Sequence, residues 1–473
     1  MMHSAKKTEL FESSPILESV VKLAFPTVIG QIIMVIYNMA DTFFISLTGS
    51  DAMISAVTVC MPAFMFLSAV SNLFGVGGSS VISRAMGRGD SERACGAAAF
   101  SFWGCAITTL LYSALALLFL DPFITLLGGA DAQVHAGARE YMLYTVVLGG
   151  LATAMNGLLG HLVRSQGYAV HASLGVALGG VLNIALDPLF MFVLLAPGRE
   201  TLGAALATAL SNLAAAAYLG VVCWRKRRVM TLSFVPSRSA LQGDIPRRVF
   251  ATGLPACLMT LCENISYAVL DNLMSFYGIA MQAGIGVAKK VNMLAHCIVR
   301  GMSQGVLPLI AYNYAAKNYK RMRASIFLSA ALSIAMAALC MLASLVFSNQ
   351  LVGIFIKSGS ASFDASVRFL RILCMGGPFS ACAYAVISFF QATGKGMKSF
   401  VLAIMRKGVL DIPLMFVLNR VYPVYGIVWA TPIVDCVCCA AAVYLFAAFM
   451  KAHPASFKAE KKIHAAKEII VGS

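Results

Sequence analysis

Charge is what this sequence has least of. Charged side chains make up 12% of its 473 residues, and only 20 of them are acidic. That is about half the ~25% share of a typical soluble domain. With hydrophobic residues at 59% and a mean hydropathy of +0.81, a water-solvated globule is excluded, and most of the surface must be solvated by lipid. No stretch alternates apolar and polar residues as the strands of a membrane barrel do. The first fifteen residues are polar, and the apolar stretch after them is too long for a signal peptide and lacks a small-residue cleavage site, so an uncleaved first helix is expected. Zinc-site spacing is missing too: neither Cys436-Val437-Cys438-Cys439 nor Cys257 with Cys262 has a second ligand pair. The thirteen cysteines lie almost wholly in apolar stretches and read as small membrane-helix hydrophobes. Gly75-Val76-Gly77-Gly78 has no strand before it, so helix packing through small residues explains it better than a nucleotide loop. The triplet Asn264-Ile265-Ser266 lies at membrane depth, which excludes glycosylation. No nucleophile–base pair or metal constellation suggests an enzyme or a cofactor.

What the sequence does have is apolar length. Twelve stretches of roughly 20–28 residues, each near the ~20 that cross the hydrocarbon, fall near 16–45, 52–82, 95–120, 138–162, 168–195, 201–224, 247–275, 283–312, 324–348, 364–391, 398–420 and 426–449. The fold class expected is an all-α integral membrane protein with twelve transmembrane helices. The net charge of +16 is a matter of topology rather than of nucleic-acid binding. Lys6, Lys7, Lys22, Arg84, Arg88, Arg93, Arg164, the Arg225-Lys226-Arg227-Arg228 run, Arg247, Arg248, Lys317, Lys320, Arg321, Arg323, Lys395, Lys398 and the Lys-rich tail fall at ends sharing one side. That side is expected to be the cytoplasm, with both termini inside. The opposite loops hold chiefly Arg139, Arg199, Lys357 and Arg420.

The two halves repeat. Phe25-Pro26, Tyr37, Asp41 and Gly49 return as Leu254-Pro255, Tyr267, Asp271 and Gly278 at nearly the same spacing. Arg164-Ser165-Gln166-Gly167, Asp187-Pro188 and Gly203 to Thr208 return as Gln391-Ala392-Thr393-Gly394, Asp411-Ile412-Pro413 and Gly426 to Thr431. Six helices per half keep both halves in one orientation, so these are parallel repeats with substrate expected between them. The organisation predicted is an N-terminal lobe over 1–224, a basic cytoplasmic linker over 225–246, a C-terminal lobe over 247–450 and a basic tail over 451–473. Asp41, Asp187, Asp271 and Asp411 all lie in apolar stretches. A charge at the bilayer centre costs at least ~2.5–3.5 kcal/mol, so an acid placed there normally serves a cavity, a partner or an ion path.

Several of these residues resemble those of a known family. Pro26, Gln31, Tyr37-Asn38-Met39-Ala40-Asp41, Arg84-Ala85-Met86-Gly87-Arg88-Gly89-Asp90, Arg164-Ser165-Gln166-Gly167, Asn183-Ile184-Ala185-Leu186-Asp187-Pro188 and Ser303-Gln304-Gly305 through Asn318 look like the multidrug and toxic compound extrusion (MATE) family. The last block is most like its MepA-like bacterial branch. The resemblance implies a secondary antiporter of the bacterial cytoplasmic membrane that expels lipophilic, usually cationic compounds against an inward proton or sodium gradient. It carries a cation-coupling cluster onto Asp41, Asn183, Asp187 and Thr208. H+ or Na+ is then the coupling ion, with no resident cofactor, and a monomer suffices.

Helix geometry agrees with that cluster. At 1.5 Å per residue Asp41 lies ~30 Å along the first helix, and Asp187 is at similar depth in the fifth. Asn183 and Asp187, four apart, share a helix face. Two close carboxylates cannot both stay charged cheaply, so one holds a proton or a monovalent cation sits between them.

The second lobe departs from the simplest family pattern. Glu263 resembles the glutamate of sodium-coupled relatives, but the tenth helix from Phe369 to Phe390 lacks the acid that those relatives place there. Lys289, Lys290, Arg300, Arg406 and Lys407 face Glu263, Asp271, Asp411 and Asp435 as expected buried ion pairs, or else as a site for an anionic group. Gln31, Tyr37, Asn38, Asn156, Met259 and Tyr267 are candidate cavity-lining residues, and thioether-rich surfaces suit varied substrates. His161 and His296 read as packing residues. The alternative function is a flippase or exporter of an anionic or lipid-linked amphiphile, which a cavity lined by unpaired Arg and Lys would favour.

Overall fold

The computed structural model describes residues 9–236 and 243–452, so the N-terminal lysines, the centre of the predicted linker and the tail from 453 onward lie outside the described residues. Among the described residues there are helices and loops and no strand. Counted as membrane segments, the helices are α1 (Ile16–Ser46), α2 (Asp51–Gly87), α3 (Ser91–Leu118), α4 (Ala132–Leu148 and Gly150–Ser165, bent by 48°), α5 (Ala169–Leu194), α6 (Glu200–Arg225), α7 (Ile245–Ser275), α8 (Ile279–Ala315), α9 (Tyr319–Val346), α10 (Ala361–Ala392), α11 (Gly396–Ile404, a π turn over Met405–Val409, then Asp411–Val421) and α12 (Tyr425–Ala452). Each falls on one of the twelve apolar stretches. The largest difference is in α4, which begins six residues before its stretch because the amphipathic segment starting at Ala132 continues the helix, capped by Asp131.

Lipid solvation explains the outer surface. Ile107, Leu110, Leu111, Leu115 and Leu118 form one exposed stripe on α3, at spacings that keep them on a single helix face. In water such a stripe would be an aggregation surface, and in a bilayer it is ordinary.

The repeat extends to the backbone. Left-handed turns occur at Gly49 and Gly278, at Gly89 and Lys317, and at Gly167 and Gly394, which are matched loops of the two halves. Asp90 and Asn318 come just after the second of these pairs, and each side chain caps the next helix by accepting from the backbone N–H of Arg93 and Arg321, at 3.0 and 3.1 Å. The molecule is therefore two pseudo-symmetric six-helix lobes.

The lobes meet along α1 with α8 and α2 with α7. At the end carrying Arg84, Arg88, Arg93 and Arg321, hereafter the basic end, one apolar core joins both lobes: Phe11, Leu23, Ala24 and Val76 pack with Ala256, Val306, Leu307 and Ile310. Here the helices touch through glycine. A Cβ on Gly253 would stand 1.8 Å from the Leu73 carbonyl oxygen, and one on Gly77 2.4 Å from that of Val249, so α2 and α7 approach backbone to backbone. Toward the opposite end the core divides. Ile45, Val57, Tyr141 and Met191 cluster in the first lobe alone, and Leu270, Ile285, Phe369 and Met415 in the second alone. The molecule is a V closed at the basic end.

Two clasps reinforce that end. Arg321 donates to the carbonyls of Leu10 and Phe11 at 3.0 and 2.7 Å and to Ser19 Oγ at 2.8 Å, while Phe11 stacks on Tyr312. Asp244, at the start of α7, takes hydrogen bonds from Arg93 and Arg248. Burial works to raise its carboxyl, but the Arg248 hydrogen bond and the charges of Arg248 and Arg93 outweigh it and hold Asp244 below the usual carboxylate range. The clasp is complete above that range and is lost only as pH falls through the depressed value.

Candidate functional site

Small residues on α5 build the first-lobe site. Gly175 lies against Leu219 and Gly179 against Ala215, both on α6, and Gly180 lies against Ile33 and Tyr37 on α1. Side chains of α1 and α6 therefore rest directly on the α5 backbone. About two turns beyond Gly180 is Asp187, and about one turn beyond Tyr37 is Asp41, so the two acids ascend to the same level. Asp41, Asn183, Asp187 and Thr208 are all buried. Asn183 Nδ2 lies 3.2 Å from Asp187 Oδ1 and 3.4 Å from Thr208 Oγ1. Pro188 comes next, and its missing N–H leads into a π turn over Phe190–Leu194 that widens the helix beside the cluster.

Hydrogen-bond accounting shows what the cluster lacks. Asp41 Oδ1, Asn183 Oδ1 and Asp187 Oδ2 are buried acceptors with no donor among the described residues. Leaving such acceptors unmet costs ~1–3 kcal/mol each, and a proton or a small cation bound between them removes that cost. No group of three or more His, Cys, Asp or Glu residues with metal-site geometry occurs among the described residues. Carboxylate, amide and hydroxyl oxygens suit a hard monovalent ion rather than a transition metal. The cluster continues inward through Asn212, which donates to the Thr208 carbonyl at 3.0 Å and accepts from Asn156 at 3.1 Å.

The second lobe pairs its acids with cations, where the first has acids beside neutral polar groups. Arg406 Nε donates to Asp435 at 2.7 Å and Arg406 Nη2 to Ser380 at 2.8 Å, with the guanidinium over the Tyr384 ring. Lys407 pairs with Asp411 at 2.9 Å, Arg300 with Glu263 at 2.7 Å, and Lys289 with both carboxylate oxygens of Asp271. The expected ion pairing therefore holds for four cations and four acids.

It does not extend to Lys290, which has no carboxylate partner among the described residues. Adjacent helix positions point about 100° apart, so only Lys289 faces α7 and Asp271. Lys290→Ala is consequently expected to leave the thermal midpoint of the purified protein unchanged within about 1 °C, against a loss of several degrees if a buried partner were stranded. Differential scanning fluorimetry in detergent decides between the two.

Between the lobes, near the basic end, lies a cavity of mixed polar and apolar lining with room for water-sized molecules over ≈ 50 Å³. Asn72, Ser79, His161 and Arg164 line it from the first lobe, and Met259, Thr260, Glu263, Arg300, Gln304, Tyr384 and Gln391 from the second. Of the six candidate cavity residues, only Met259 lies there. Asn38 bonds its own helix at the Met34 carbonyl, Asn156 belongs to the Asn212 chain, Tyr267 lies under Lys289 and Lys407, and Gln31 and Tyr37 are on α1 away from the cavity. His161, read from sequence as packing, is instead a cavity residue 3.2 Å from Asn72 Oδ1. Arg164 has no acidic partner among the described residues, and its Nε is buried without an acceptor.

The MatE family model matches residues 26–189 and 255–417, once per lobe, and the second match begins at Pro255, the counterpart of Pro26. The multidrug export protein MepA of Staphylococcus saprophyticus is 29% identical over 439 residues, covering 92% of this chain and 94% of that protein. MepA of Staphylococcus aureus strain MRSA252 is 28% identical over 436 residues, with the same coverage. Among solved structures, a MATE transporter in complex with MaL6 superposes with a TM-score of 0.87 at 24% identity, covering 94% of this chain and 99% of that one. An outward-facing multidrug resistance MATE family transporter superposes with a TM-score of 0.86 at 24% identity, covering 94% and 98%.

Proposed function

Because this chain belongs to the MatE family, we propose that it is a secondary antiporter that exports lipophilic, cationic drugs or toxic compounds in exchange for protons or sodium ions. The observation that carries the proposal is the first-lobe cluster: three buried acceptor oxygens without donors on Asp41, Asn183 and Asp187, with Thr208 closing the shell. Such a cluster is short of one positive charge, which an inward ion gradient can supply. Ion binding biases the equilibrium between two arrangements of the lobes, and drug binding biases it the other way, so the two are reciprocally coupled. The V closed at the basic end is one of those arrangements. The excess of Arg and Lys at that end supports a cytoplasmic position in a bacterial cell with both termini inside, and on that reading the V opens outward. One chain contains both lobes and acts as a monomer.

Efflux of a lipophilic cationic dye from vesicles, with proton and sodium gradients imposed separately, tests the reading. One gradient is expected to drive export and its collapse to stop it. Export driven by neither would overturn the antiporter.

A second reading rests on Arg164. A buried guanidinium without an acid, facing a cavity whose one carboxylate is already held by Arg300, suits a substrate that carries an anionic group, as in an amphiphile exporter. Competition between the dye and an amphiphilic carboxylate, lost in Arg164→Gln, supports this reading. A dye-specific effect of that variant counts against it.

A further inference from the structure

We propose that Lys407 is a built-in cation that fills the second lobe's copy of the coupling site, so that only the first lobe exchanges ions with solution. The inference rests on the coupling role proposed for Asp41 and Asp187.

The repeat places Tyr267 and Asp271 of α7 opposite Tyr37 and Asp41 of α1, Asp411 of α11 opposite Asp187 of α5, and Thr431 of α12 opposite Thr208 of α6. Four residues before Asp187 is Asn183, and four residues before Asp411 is Lys407. The structure brings the corresponding groups together in both lobes. Thr431 Oγ1 donates to Asp411 Oδ1 at 3.1 Å, while its counterpart Thr208 Oγ1 accepts from Asn183, which in turn donates to Asp187. Lys407 Nζ donates to Asp411 Oδ2 at 2.9 Å, where the first lobe has an Asn183 amide on Asp187.

The two sites differ in their accounts of charge. Both oxygens of Asp411 have donors, Ser266 Oγ at 2.6 Å completing the set, whereas Asp187 Oδ2 and Asp41 Oδ1 have none among the described residues. Asp271, the copy of Asp41, is held by Lys289. The ammonium groups of Lys289 and Lys407 stand 5.3 and 5.4 Å from the centre of the same Tyr267 ring. The second lobe thus carries, on covalent tethers, the positive charge that the first must take from solution. The side chains of Lys407 and Asp411 are 3% and 0% exposed, so water does not supply this neutralisation and the ammonium has no route out.

The proposal predicts that replacing the tethered ammonium by the first lobe's amide creates a second exchangeable site. Full-length protein purified in detergent is titrated for proton uptake with an indicator dye in weak buffer, and for sodium binding by calorimetry. Unmodified protein is expected to show one cation-binding step, lost in Asp41→Asn/Asp187→Asn. Lys407→Asn should add a second step, which persists in the Asp41→Asn/Asp187→Asn background and disappears when Asp411→Asn is added. A folded Lys407→Asn protein with no added step overturns the proposal. If Lys407→Asn does not fold, the reciprocal change decides: Asn183→Lys should abolish the first lobe's cation step while raising the thermal midpoint, and an intact step overturns the proposal. Failure of the coupling role itself has a separate signature, a step in unmodified protein that survives Asp41→Asn/Asp187→Asn.

Discussion

Asp41→Asn is expected to reduce gradient-driven export of a cationic dye to the background of protein-free vesicles, with membrane insertion and thermal stability intact. The amide keeps the carboxylate's shape and can still hydrogen-bond, so packing around Tyr37, Asn183 and Asp187 is preserved. What disappears is the charge deficit that draws an ion into the cluster. An ion shifts a conformational equilibrium only by its differential affinity for the two states, and coupling of this kind is typically worth ~1–3 kcal/mol, or ~5–150-fold in the other ligand's affinity. The variant's dye affinity should therefore stop responding to pH and sodium, and net export against a gradient should stop with it. Asp187→Asn is expected to act in the same direction. Full efflux by Asp41→Asn at normal expression would remove the coupling site from the first lobe, with Glu263 next in line.

The largest stability effect is expected at Arg406 and Asp435. Both side chains are 1% exposed; Arg406 sits in the π turn that interrupts α11, and Asp435 meets it from α12. Asp435→Ala leaves a guanidinium in a dry site whose direct contacts are Ser380 and the Tyr384 ring. Breaking one side of a buried pair costs ~3–5 kcal/mol, while replacing both partners by apolar groups of similar size is often neutral or better. Asp435→Ala should accordingly lower the unfolding midpoint in detergent by several degrees, and Arg406→Met with Asp435→Leu should recover most of the loss. An Asp435→Ala protein as stable as the unmodified one would show that the pair is not desolvated.

Much of this fold was legible in the sequence because the bilayer allows few ways to satisfy a backbone. Apolar length alone located the twelve helices, and the repeated Pro, Asp and Gly positions located the two lobes. Within a helix the contact between Asn183 and Asp187 was legible too, since they share a face by periodicity. Contacts between helices were not. His161 and Asn72 are 89 positions apart, and no local pattern reveals that they meet in the central cavity. Lys290 shows the limit from the other side: composition balanced the second lobe's cations against its acids, but a single step along α8 decides which ammonium faces Asp271, and that depends on how α7 and α8 are rotated against each other. The isolated cavity residues fared least well for the same reason. An aromatic or amide side chain on a membrane helix faces lipid, a neighbour or the cavity with no sequence mark to tell them apart.

The glycine seam between α2 and α7 bears on how well the molecule insulates. Any carrier driven by an ion gradient is useless if the ions can slip back past it, and a seal made of interlocking side chains loosens whenever a rotamer hops. At Gly253 and Gly77 there is no side chain to hop: carbonyl oxygens rest directly on α-carbons. Such a joint has two settings, seated or apart, and little between. At these two points the lobes therefore meet backbone on backbone, and parting or reseating them there re-sorts no side chain of the glycines.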